Sequence, residues 1–151
     1  MIATIVLDSG PLGLLAQRPG LAIADACRAW LERHVQAGVR ALVPEIADYE
    51  VRRELIRLGN VAAIARLDTF NSAVFDRYLA LTTTSMRQAA VFWADARKRG
   101  LPTADPKELD GDVIVAAQAL TCSFPPADLV VATTIPIHLS RFVKADLWSN
   151  I

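Results

Sequence analysis

The chain has 151 residues, sixteen basic and sixteen acidic side chains, 53% hydrophobic residues and a mean hydropathy of +0.31. That length makes one domain able to bury about 70% of its unfolded surface, and the apolar content excludes intrinsic disorder. The balanced charge excludes a protein whose net field alone attracts nucleic acid, so any such site has to be a local patch.

Ala3-Thr4-Ile5-Val6-Leu7 is a continuous β-branched and aliphatic run, the pattern of a central parallel strand covered on both faces. Asp8-Ser9-Gly10-Pro11 reads as a sharp polar turn at its carboxyl end. In open α/β sheets ligands bind there, which makes Asp8 a candidate site residue. Residues 21–37 carry Ala22, Ala26, Trp30 and Leu31 on one face of an amphipathic helix that Gly38 closes. Val39 to Val43 is a second strand, and Pro44 opens a helix that runs to about Leu58. Its buried stripe is Ala47, Val51, Leu55 and Leu58, with Glu50 and Glu54 along the edge. A further helix extends to about Tyr78, and Leu79 to Thr82 is a brief edge strand. Thr84 or Ser85 caps the next helix, which stops at Gly100.

Leu101 to Lys107 is a polar loop. It leads into Leu109-Asp110-Gly111-Asp112, which opens an unbroken apolar and alanine-rich run to Leu120, read as a buried helix. Asp110 or Asp112 suits its N-cap or first turn. One acid is explained that way; two against the start of an apolar helix suggest a held cation. Asp128 to Ala132 is the next strand, with Thr133 and Thr134 at its carboxyl end. A short helical turn at 138–142 and an edge strand at 145–148 complete the chain. The alternation predicts an α/β fold, a parallel sheet of about four to five strands with helices on both faces.

No apolar run is long enough to span a bilayer, and Met1-Ile2-Ala3 lacks the basic start of a signal peptide. A cytoplasmic protein without membrane contact is expected. Cys27 and Cys122 suggest reduced core thiols rather than a disulfide framework. Asp8, Glu50, Asp110 and Asp112 can all meet at the carboxyl edge of the sheet, whereas Asp128 belongs at the opposite edge. An all-oxygen set without His or Cys suits Mg²⁺ or Mn²⁺, ions that bind phosphates and activate water. There is no G-x-S-x-G elbow, Walker loop or G-x-G-x-x-G. His34 is read as a surface histidine, and His138 as a loop histidine near the proposed edge, with a place in the site as its alternative.

These residues resemble the PIN-domain ribonucleases, in particular the VapC-like toxins of toxin–antitoxin pairs, over most of the chain. The resemblance rests on Val6-Leu7-Asp8-Ser9-Gly10, on Pro44-Glu45-Ile46-Ala47-Asp48-Tyr49-Glu50-Val51-Arg52-Arg53, and on Asp112-Val113-Ile114-Val115-Ala116-Ala117-Gln118-Ala119. Val130-Val131-Ala132-Thr133-Thr134 supplies the last segment. It implies a PIN-like fold, with Asp8, Glu50 and Asp112 as metal-ligating catalytic acids and Asp110 as an auxiliary ligand or water-holding acid. Ser9, Thr133 and Thr134 would orient ligands or phosphate. Periodicity alone leaves Glu54 open beside Glu50. The sequence departs from the family at Ile135, where Asn or Asp is common, and has His138 where some members carry an acid. The implied function is a Mg²⁺- or Mn²⁺-dependent endoribonuclease acting on RNA, the toxin of a toxin–antitoxin pair, homodimeric and silenced by a small antitoxin. The competing reading is a weakened PIN-fold module that binds RNA or protein without turnover.

Overall fold

A computed structural model of the chain describes residues 1–102, 105 and 110–151. Five parallel strands form one sheet in the order β3-β2-β1-β4-β5: β1 Thr4–Leu7, β2 Arg40–Pro44, β3 Tyr78–Leu79, β4 Leu129–Thr133 and β5 Ala145–Leu147. β1 lies at the centre, with Ile5 opposite Ala41 on one side and Val130 on the other. From β1 the chain moves outward to β2 and β3, then returns to start β4 on the other side. The β1–β4 junction is therefore where the strand order reverses, and there the carboxyl ends of neighbouring strands open a crevice.

Strand side chains alternate between two apolar layers, as their period of two requires. Ile5, Leu7, Ala41, Val43, Val130 and Ala132 pack beneath α1 Ser9–Ala16, α2 Ala22–Gln36, α3 Glu45–Arg57 and α4 Val61–Ser72. Val6, Leu42, Leu129 and Val131 face the opposite layer, built from α5 Thr83–Lys98, α6 Gly111–Thr121 and α7 Pro136–Leu139. In α6 every residue from Val113 to Ala119 is buried, so the helix expected from the alanine-rich run lies inside the fold. No helix among the described residues is long and apolar enough to cross a membrane. Cys27 and Cys122 are both free thiols, the first buried and the second half-buried.

Several expected boundaries move. The segment expected to be a polar turn after Asp8 is the start of α1: Leu12 N–H donates to the Asp8 carbonyl at 3.1 Å, and Pro11 falls in the first turn, where a missing N–H costs nothing. α4 ends at Ser72 and not near Tyr78: Ala73 caps it with its N–H on the Phe70 carbonyl, and in the turn that follows Asp76 takes a left-handed conformation at φ 67°. The edge strand accordingly begins at Tyr78 rather than Leu79. α5 is capped by Thr82, whose hydroxyl accepts from Ser85 N–H while Ser85 Oγ accepts from Thr82 N–H. α7 occupies 136–139, two residues ahead of the expected turn. Leu58, expected on the buried stripe, is exposed just beyond the end of α3.

One polar network fixes α3 against α4. Asp48 is buried and accepts from Arg52 Nε and Nη2 at 2.9 Å each and from Asn71 Nδ2 at 2.8 Å, and Arg52 reaches on to Asp68. Removing the acid leaves the arginine half-satisfied and the half-buried Asn71 amide without its acceptor. Asp48→Ala is expected to lower stability by about 2–3 kcal/mol in urea unfolding; a change below about 0.5 kcal/mol would show that the network holds nothing together.

Candidate active site

The site assembles at the β1–β4 crevice. Asp8 follows β1 and is 8% exposed. Its Oδ2 accepts from Thr133 Oγ1 at 2.7 Å, and that hydroxyl in turn accepts from Ile135 N–H at 3.2 Å. Thr133, the last residue of β4, thus clamps the carboxylate from the neighbouring strand. Burial pushes the Asp8 carboxyl up, while the hydrogen bonds from Thr133 and from the Ser9 backbone work against that rise.

The second acid comes from α3. Four acids lie on that helix, and three are engaged elsewhere: Glu45 Oε2 accepts from Leu81 N–H at 3.1 Å, Asp48 holds Arg52 and Asn71, and exposed Glu54 pairs with Arg57. Glu50 alone turns toward α6. A Cβ built on Gly111 would fall 2.6 Å from Glu50 Oε1, so the carboxylate rests against the glycine between Asp110 and Asp112. The alternative that periodicity left open, Glu54, faces away.

The third contribution is the head of α6. Asp110 is the N-cap, its Oδ1 accepting from Val113 N–H at 3.4 Å, and it is buried. Asp112, one residue into the helix, is half-buried and lies in the fields of both Asp8 and Asp110. Burial first, then the charge of Asp8, raise the Glu50 carboxyl to about 7; Arg53 opposes this, and Asp112 and Asp110 add to it. Burial, Asp8 and Asp110 raise Asp112 to about 6, with His138 and Arg141 acting the other way. The expected acids are therefore brought within one another's electrostatic reach. As the side chains lie, no group of three or more His, Cys, Asp or Glu among the described residues is set to hold one metal ion.

The remaining expected residues are nearby but differ in role. Ser9 begins α1, and a Cβ on Gly10 would fall 2.5 Å from Thr134 Oγ1, so only glycine permits α1 to meet the end of β4 this closely. Thr134 is exposed. Ile135 is 63% exposed and contributes its backbone N–H rather than its side chain. Asp128 is exposed at the start of β4, at the opposite edge of the sheet from Asp8. A groove of about 410 Å³ runs from Ser9 and Gly10 past Glu50 and Arg53 toward Leu58. His138 and Arg141 bear on Asp112 from α7 and the segment after it. Arg141 has no local sequence signal, since it lies more than twenty residues along the chain from the acid it influences.

The sign of the pH dependence follows from these shifts. The unfolded carboxyls titrate near 3.8 and 4.5, below their folded values, so between about pH 4 and 7 the folded protein keeps protons that the unfolded chain has released. The contribution of these acids is fully present below that window and is lost as pH rises through it. In chelator, a Glu50→Gln/Asp112→Asn variant should lose less Tm than the parent between pH 5 and pH 8, and should be the more stable of the two at pH 8. Equal slopes would contradict the placement of these charges.

No family model matches the chain, and no curated protein is similar to it in sequence. Solved structures are similar in fold over nearly all of their length and of this chain. VapBC2 from Rickettsia felis, bound to a DNA fragment from its promoter, matches with a TM-score of 0.71 at 12% identity, covering 96% of this chain and 98% of that one. FitAcB from Neisseria gonorrhoeae matches with a TM-score of 0.66 at 18% identity, covering 97% and 99%. DNA-bound VapBC from Salmonella typhimurium matches with a TM-score of 0.59 at 19% identity, covering 98% and 99%. At these identities the likeness is one of fold: the parallel α/β architecture expected from the sequence is shared with these VapBC and FitAcB structures.

Proposed function

We propose that the chain is a metal-dependent endoribonuclease that cuts RNA phosphodiesters, the toxin of a toxin–antitoxin pair. The observation that carries this reading is the gathering of Asp8, Glu50, Asp110 and Asp112 at the crevice, with Glu50 against Gly111 and two of the carboxyls raised by burial and mutual repulsion. Buried acids that repel one another are stabilised by a cation, and an all-oxygen donor set suits Mg²⁺ or Mn²⁺. Asp8, Glu50 and Asp112 would hold it, with Asp110 as auxiliary. Bound there, the ion would lower the pKa of water and offset charge developing on phosphate oxygens. The chain's own part is placement. Thr133 orients the Asp8 carboxylate, the Asp48 network fixes the helix that carries Glu50, and Asp110 anchors the start of α6. Ser9, Thr133 and Thr134 line the phosphate side, where hydroxyls and the first N–H groups of α1 suit an anion.

The likeness in fold to VapBC structures supports a small antitoxin as partner. Exposed Ile56, Leu58 and Val61 offer apolar surface for that partner or for a second copy in a homodimer.

Incubation with mixed RNA in Mn²⁺, in Mg²⁺ and in chelator tests the reading. Cleavage should require metal and fall at least about a hundredfold in Asp8→Asn or Asp112→Asn, the scale of losing a group that acts on the reacting atoms. Glu50→Gln should lose activity and Glu54→Gln should keep it. Gly111→Ala should fold normally, since alanine suits a helix and a carboxylate can swing aside, yet should cut slowly because Glu50 is displaced. Undiminished cleavage by Asp8→Asn and Asp112→Asn together would sink the assignment, and a stable chain that binds RNA without cutting it would favour the non-catalytic module.

A further inference from the structure

Beside the acids lies a cleft of about 310 Å³ between α5 and the segment after α7, lined by Phe92, Asp95, Arg99, Leu101, Arg141 and Phe142. Its volume lies at the lower end of the range for small-ligand pockets. Phe92 and Phe142 form its apolar wall, their ring centroids 4.9 Å apart and their planes inclined by 31°. Arg141 Nη1 donates to the Leu101 carbonyl at 2.7 Å, which fixes the guanidinium at the rim. The charge of Arg141 also acts on Asp112, so the cleft opens next to the candidate active site. Asp95 and Arg99 are exposed at the other side, near the end of α5. Among the described residues, no hydrogen bond or ion pair engages the Asp95 carboxylate.

Aromatic walls, guanidinium groups at the rim and one acceptor carboxylate together describe a flat π-faced ligand with N–H donors on its edge and an anionic tail. Unpaired nucleobases stack on aromatic side chains and on Arg planes, and their phosphates follow basic residues. The acceptor decides among the bases. Guanine presents two adjacent donors, N1–H and N2–H, which match the two oxygens of a carboxylate; adenine, cytosine and uracil each set a donor beside an acceptor. We propose that this cleft takes an unpaired guanine of single-stranded RNA, with Asp95 on its Watson–Crick edge, Phe92 and Phe142 on its face, and the adjoining phosphate led past Arg141 toward Asp112. The proposal rests on the ribonuclease reading and adds the base that the site selects.

The test measures binding without turnover. Fluorescence anisotropy in chelator compares labelled hexauridylate with the same oligomer carrying one central guanosine, for the unmodified chain, Asp95→Asn and Phe142→Leu. The unmodified chain should bind the guanosine oligomer about tenfold more tightly, the scale of a bidentate base contact. Asp95→Asn, at an exposed position, should abolish that preference, so that the two oligomers bind alike. Phe142→Leu should weaken the guanosine oligomer about fivefold or more, the scale of a lost stacking contact. Equal binding of the two oligomers, a preference that survives Asp95→Asn, or binding of neither oligomer would overturn the proposal. Metal-dependent cleavage without any base preference would remove the cleft and leave the ribonuclease reading standing. Guanosine preference in a chain that never cuts RNA would keep the cleft and remove the nuclease.

Discussion

The structure turns on the cost of gathering carboxylates where three elements meet at a sheet's edge. Asp8 is nearly inaccessible, and its charge reaches both Glu50 and Asp112. An isolated core would reject such a set, because removing carboxylates from water while holding them close is unfavourable twice over. The fold tolerates it by supplying fixed donors. Thr133 donates its hydroxyl to Asp8, Val113 donates its N–H to Asp110, and the first turns of α1 and α6 point the positive ends of their dipoles toward the acids. These offset part of the cost, and the carboxyls of Glu50 and Asp112 stay raised, first by burial and then by the neighbouring negative charges.

The rest of the molecule makes that concentration of charge geometrically possible. The order β3-β2-β1-β4-β5 places the end of β1 beside the end of β4, so an acid and a threonine separated by 125 residues form a single hydrogen bond. α6 is buried along its length and cannot shift, which holds the pair of acids at its head in place. α3 is fixed through Asp48, Arg52 and Asn71, and that bracing turns Glu50 rather than its neighbours toward Gly111. Two glycines are needed for contact and not for flexibility: Gly10 against Thr134 and Gly111 against Glu50.

Much of this was legible in the sequence for identifiable reasons. Buried parallel strands announce themselves as unbroken aliphatic runs, so β1, β2 and β4 stand within a residue or two of expectation. The buried helix after Asp110 declared itself by its alanines. What escaped was decided elsewhere in the chain. Ser9-Gly10-Pro11 has the composition of a turn, yet it forms the first turn of α1 because a proline there loses no hydrogen bond. α4 ends six residues before Tyr78 without a glycine or proline to mark the stop, and the turn after it carries Asp76 in the left-handed region that few residues other than glycine, asparagine and aspartate adopt. Glu50 and Glu54 border the same stripe one turn apart, and only the packing of α3 on α6 separates them. Arg141 reaches Asp112 solely through tertiary structure.

We propose that the burial cost and residual repulsion of these acids are matched to a bound divalent cation. Metal-linked stabilisation measures it directly, because a ligand that binds only the folded state raises stability with its concentration. At pH 7.5 and fixed ionic strength, the Tm of the unmodified chain should climb with millimolar Mn²⁺ or Mg²⁺, and the climb should vanish in Asp8→Asn and Asp112→Asn. A Tm that ignores both ions, or that rises equally in the two variants, would contradict the account.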